Sequence, residues 1–111
     1  MNTSKPTIPG RTATTVSTSR EGGTVTIRIS GHFGFPAYRP FREAYVANPA
    51  GTRYVIDLNG TEYMDSSALG MLLVLREHAG GERAGIRIEK ARPEVRQILQ
   101  TAHFDRLFTL D

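Results

Sequence analysis

Tyr54-Val-Ile-Asp-Leu-Asn-Gly-Thr-Glu-Tyr-Met-Asp-Ser-Ser-Ala-Leu-Gly70, running directly into Met71-Leu-Leu-Val-Leu75, is the stretch that decides the fold. It reads as a buried strand, a polar loop, and a helix that opens on two adjacent hydroxyls, Ser66 and Ser67. The strand, Arg53–Leu58, is compact, apolar and β-branched, which suits a central strand covered by helices. Asp65 stands at the helix N-cap, where a carboxylate accepts from backbone N–H groups that lack intrahelical partners. The helix is expected from Ser66 to Ala79, stopped by the pair Gly80-Gly81. Partial positive charge at its N-terminus tolerates an arriving phosphate. A hydroxyl on this first turn is therefore either a cap or a covalent switch. From the residues alone, capping is the commoner outcome.

At 100° per residue, Ala68, Met71, Leu72, Leu75 and Ala79 form one stripe, sufficient to pack the helix on a sheet. Leu69, Leu73 and Val74 lie off that stripe. Gly70 costs about 1 kcal/mol relative to alanine inside a helix. Two readings follow. Either Gly70 and the spare apolar residues admit a partner close to the hydroxyls, or neighbouring helices cover Leu69 and Val74 and Gly70 only relieves crowding.

Outward from this core, Thr12–Ser19 has modest β-propensity and is expected as an edge strand. Glu21-Gly22-Gly23 is a hairpin turn signal. Thr24–Ser30 alternates polar and apolar residues, with Val25, Ile27 and Ile29 facing inward. Gly31 is expected to break that strand. Phe41, Ala44 and Tyr45 recur at helical spacing, and Pro36, Pro40 and Asn48-Pro49 confine the helix to about 40–48. Ile86 and Ile88 mark a further strand. Pro93 opens a last helix whose Val95, Ile98, Leu99 and Ala102 face inward. Leu107–Leu110 is expected as a short terminal strand. A hairpin followed by helical crossovers implies a mixed sheet, so the fold class is α/β. Phe33, Phe35, Phe41, Tyr45, Phe104 and Phe108 read most simply as core or core-edge aromatics.

The chain has 111 residues, 39% of them hydrophobic and 23% charged, which fits one soluble domain with a single core. Residues 1–11, rich in Thr, Ser and Pro, read as a flexible lead-in to a domain spanning 12–111. The absence of cysteine excludes disulfides, thiolate metal sites and a cysteine nucleophile. No apolar run is long enough to cross a membrane and no signal peptide is evident, so a cytoplasmic location without membrane association is expected. The pI of about 9.7 invites a nucleic-acid reading, but Lys5, Arg11 and Arg20 account for the excess. The remainder carries 11 basic and 11 acidic residues with signs interspersed, unlike a phosphate-tracking stripe.

Met64-Asp65-Ser66-Ser67-Ala68-Leu69-Gly70 resembles the signature of the STAS domain family, and in particular of bacterial anti-sigma factor antagonists. The resemblance covers roughly residues 12–111, with Gly31-His-Phe-Gly-Phe35, Tyr54-Val-Ile-Asp57 and Phe104–Leu110 in the family's order. It implies a STAS-like single domain, a mixed four- to five-stranded sheet with helices mainly on one face. Carried over residue by residue, it makes Ser67 the phosphoacceptor, with Ser66 the alternative. It also implies a partner-binding surface of Met64, Asp65, Ser66, Leu69, Gly70 and Leu73, together with His32, Phe33 and Gly34. The implied partners are an anti-sigma factor that is also a serine kinase, bound when Ser67 is unphosphorylated, and a serine phosphatase that resets the switch. No cofactor or metal is implied, and no catalysis by the chain itself. The alternative within the family is a STAS subunit of a transport assembly, docked on an ATPase without phosphorylation. A monomer or weak dimer is expected, since an edge strand is free to pair with a second copy.

One departure from the family pattern stands out. Gly34 occupies a position where an aspartate is expected, and Pro36 one where a small polar residue would start the helix. An acid there helps orient the kinase, so its absence implies less efficient phosphorylation with partner binding retained. Enzyme readings lack support in the sequence. His32, His78 and His103 show no metal-ligand spacing, and no Gly-X-Ser-X-Gly elbow surrounds the serines. Asp57, inside an apolar strand, reads as a strand-end carboxylate bonded to its loop.

Overall fold

The computed structural model describes residues 13–111; the lead-in expected at 1–11 lies outside them. Six strands and three helices follow in the order β1 (Thr15–Glu21), β2 (Thr24–Phe33), α1 (Tyr38–Glu43), β3 (Arg53–Asp57), β4 (Thr61–Met64), α2 (Ser66–Ala79), β5 (Ile86–Glu89), α3 (Pro93–Thr101) and β6 (Thr109–Leu110). The main sheet runs β1-β2-β3-β5-β6, with β4 paired to the far end of β2. β1 is antiparallel to β2 and every other pairing is parallel. This is the mixed α/β sheet expected from a hairpin followed by crossovers.

Register explains the layering. Val25, Tyr54 and Ile86 are paired neighbours, as are Ile27, Ile56 and Ile88, and all six are buried. That face joins Phe41 of α1, Leu72 and Leu75 of α2, and Val95 and Leu99 of α3 in one core. The opposite face presents Thr26, Arg28, Val55, Asp57, Arg87 and Glu89, none of them fully buried. The central strand β3 is thus covered on one side only, and its alternation reflects that. Asp57 behaves as expected of a strand-end carboxylate. Its Oδ1 accepts from the Asn59 backbone N–H at 2.9 Å, and Oδ2 lies 3.5 Å from Arg28.

Three elements differ from the sequence expectation. The sheet has six strands rather than four or five, because β4 forms within what reads as a loop. Its burial runs buried, exposed, exposed, buried, so no period-2 signal exists. Pairing with β2 and the Thr61 hydroxyl, which donates to Ile29 O at 2.7 Å, hold it instead. Gly31 does not end its strand. At φ +82° it shifts the register, and β2 continues to Phe33. The first helix covers Tyr38–Glu43 rather than 40–48, preceded by a 3-10 turn at Phe35–Ala37. Pro40 falls in its first turn, where a missing N–H costs nothing.

Candidate functional site

The extension of β2 past Gly31 and the pairing of β4 bring His32 and Asp65 to the N-terminus of α2. Asp65 caps the helix as expected. Its Oδ1 accepts from the backbone N–H of Ser67 at 2.9 Å and of Ala68 at 3.4 Å. The Ser67 hydroxyl donates to the same oxygen at 2.5 Å, a short charge-assisted bond. The second oxygen, Oδ2, lies 2.7 Å from His32 Nε2. Burial raises the Asp65 carboxyl, but hydrogen bonds from the Ser67 side chain, His32 and the two backbone N–H groups together hold it below its ordinary value.

Serine, aspartate and histidine meet here, but in the wrong order for nucleophilic catalysis. The imidazole contacts the carboxylate and not the hydroxyl, so Ser67 Oγ has the Asp65 carboxylate beside it and no histidine base. Among the described residues no group of three or more His, Cys, Asp or Glu is arranged to hold a metal ion. The arrangement presents a hydroxyl, oriented by a carboxylate, at the mouth of a helix.

That hydroxyl opens onto a groove of about 400 Å³ between α1 and α2, walled by Phe35, Tyr38, Met71 and Val74 and reached by Arg42. Phe35 is 79% exposed, Val74 58% and Tyr38 50%, so three of these walls are apolar side chains left in water, while Met71 is buried and shared with the core. Phe35, expected in the core or at its edge, is instead turned outward by the 3-10 turn. Gly70 lies on the groove floor. A Cβ added there would meet nothing within 4 Å, which rules out relief of crowding as its purpose.

The other expected surface residues divide. Ser66 is exposed but does not line the groove, and Leu73 is 40% exposed. Leu69 packs partly buried toward α3, beside Ile98 and Ala102, away from the hydroxyl. Phe33 and Met64 are buried at 0% and 2% and form the packing beneath the site. Gly34 is buried against the cap: a Cβ there would come within 2.3 Å of Asp65 Oδ2. A side chain at position 34 would have to displace the Asp65 carboxylate from its present place. His32 by itself reads as an ordinary surface or core histidine, and its contact with Asp65 is visible only once the bulge at Gly31 is known. His78, by contrast, has an internal partner: Nε2 lies 2.8 Å from Asn48 O.

A family model for the STAS domain, described as "Mlab, STAS domain", matches residues 16–110. The chain belongs to the STAS family. A STAS-domain containing protein of Pseudomonas aeruginosa is 48% identical over 101 residues, 88% of this chain and 98% of that one. Two solved structures share the fold of this STAS domain. An anti-sigma factor antagonist from Mycobacterium paratuberculosis matches with a TM-score of 0.74 at 25% identity, covering 87% of this chain and 84% of the other. The anti-sigma factor antagonist SpoIIAA in its unphosphorylated form matches at 0.72 and 18% identity, covering 87% and 88%. Among the described residues no helix is long and apolar enough to cross a membrane.

Proposed function

We propose that this STAS domain is an anti-sigma factor antagonist in a partner-switching circuit, with Ser67 as its phosphoacceptor. One observation carries the reading: the Ser67 hydroxyl is exposed at the mouth of α2 and borders an apolar groove whose floor is the bare backbone of Gly70. Likeness to two anti-sigma factor antagonists supports it. Unphosphorylated, the groove takes apolar side chains of an anti-sigma factor that is also a serine kinase, and the factor's other client is released. Phosphate on Ser67 adds about −1.5 to −2 charges beside Asp65, whose carboxylate oxygen is 2.5 Å from the hydroxyl. Repulsion and the cost of desolvating that charge then drive the partner off. A serine phosphatase restores binding. The chain is ligand and substrate in turn, and performs no chemistry of its own.

The same short contact favours one rival, a STAS subunit docked permanently on the ATPase of a transport assembly, because a phosphate must displace the Asp65 carboxylate. Incubation with the cognate anti-sigma kinase and ATP distinguishes them. The proposal expects one added phosphate by intact mass, mapped to Ser67 and absent from Ser67→Ala. A stable complex whose antagonist never gains mass would hand the case to the rival. Ser67→Ala is expected to bind and Ser67→Asp to bind poorly; equal binding by both would refute the charge mechanism.

A further inference from the structure

We propose that a second site, a cleft at the amino ends of the parallel strands, binds a small anion carrying two or more phosphate groups. The cleft measures about 770 Å³, within the range of small-molecule sites. Four arginines line it from four separate segments. Arg53 opens β3 and Arg87 lies on β5, while Arg83 and Arg106 come from 3-10 turns at Gly81–Arg83 and Phe104–Arg106. Asp105 is the one acid in its lining and Arg87 is ion-paired with Glu89 and Asp111, so the three unpaired arginines leave two net positive charges. From Glu21 onward the chain carries 11 basic and 11 acidic residues, so this excess is local.

The state of these arginines matters as much as their number. Arg53, Arg83 and Arg106 form no ion pair with any described residue. Arg87 is held by Glu89, at 3.3 Å, and by Asp111. Three guanidinium forks are therefore free for a ligand, and the fourth is fixed at the rim. Each fork matches a phosphate edge through two parallel N–H···O bonds. The hydroxyls of Thr24 and Thr109 add neutral donors to the lining. The three free forks come from three separate segments around the cleft, so an anion with two phosphate groups reaches more of them than a single phosphate does.

The cleft is remote from Ser67. Thr24, at one end of β2, lines the cleft, and Phe33, at the other, accepts a hydrogen bond from the Asp65 N–H. Those ten residues span about 30 Å of extended chain. The inference is thus independent of the groove and of the proposed function.

Titration of the ¹⁵N-labelled full chain with sodium pyrophosphate, at constant ionic strength, tests it. Saturable shifts are expected at Gly85, Arg87 and Arg106, with one equivalent bound. Arg83→Ala and Arg106→Ala, both exposed, are each expected to weaken binding about tenfold without changing thermal unfolding. Arg83→Lys, which keeps the charge and loses the fork, is expected to fall between. Citrate titrated identically separates phosphate from carboxylate recognition. Equal affinity for citrate would overturn the phosphate assignment. Unsaturable shifts spread over all the arginines, or alanine variants that bind as the parent does, would overturn the site.

Discussion

The two faces of α2 obey different rules. Inward, Ala68, Met71, Leu72, Leu75 and Ala79 are buried, and each fully buried leucine contributes about 1.5–3 kcal/mol. Outward, Ser67, Gly70 and Val74 line the groove beside α1 and contribute little to folding. Helical periodicity describes the first face completely. The second contains an apolar residue in water, a glycine with open space above it, and a serine whose hydroxyl faces out. Packing against the sheet requires none of these, and together they form the face proposed above to dock the partner.

Substitutions break that comparison in order of size. Leu72→Ala, on the inward face, is expected to cost about 3 kcal/mol in denaturant unfolding. Val74→Ala, two residues further on and on the outward face, is expected to change stability by less than about 0.5 kcal/mol and yet to weaken partner docking. If Val74→Ala destabilised the fold as Leu72→Ala does, the distinction between the faces would fail.

Asp65→Ala removes the cap and is expected to cost about 1–2 kcal/mol near neutral pH. The sign of its pH dependence follows from the direction of the shift. The folded-state carboxyl lies below its ordinary value of 3.8, so its stabilisation is present above that pH and is lost as pH falls through the folded-state value. Unfolding curves of parent and variant are expected to converge below pH 3.8. Curves that stay parallel down to strong acid would deny Asp65 its part.

Gly70→Ala separates stability from function most cleanly. The new methyl meets nothing in the folded chain, so helix propensity alone predicts a gain of about 1 kcal/mol. The same methyl enters the groove floor, and partner affinity is expected to drop. A variant both more stable and fully competent to bind would show that the groove is not the contact.

Much of this was legible in the sequence, for physical reasons. α2 is found from Ser66 to Ala79 as expected because Asp65 and Gly80 are local signals that act within one turn. The buried stripe follows from a period of 3.6. What stayed hidden depends on distant contacts. β4 has no alternation of its own and exists through its pairing with β2. Gly31 reads as a stop and acts as a bulge, because Gly60 O accepts its N–H at 2.9 Å. Phe35 reads as core or core edge, since apolarity alone does not tell which side of a proline-bearing 3-10 turn faces water. The groove wall, the position of His32 against Asp65 and the tight fit of Gly34 all descend from these three features.

The most direct test of the central claim is the affinity of the anti-sigma partner for this domain with phosphoserine installed at position 67 during synthesis, compared with the unmodified chain. A loss of roughly 100-fold, equivalent to about 2.7 kcal/mol, with the fold unchanged is the predicted result. Equal affinity of the two forms would contradict it.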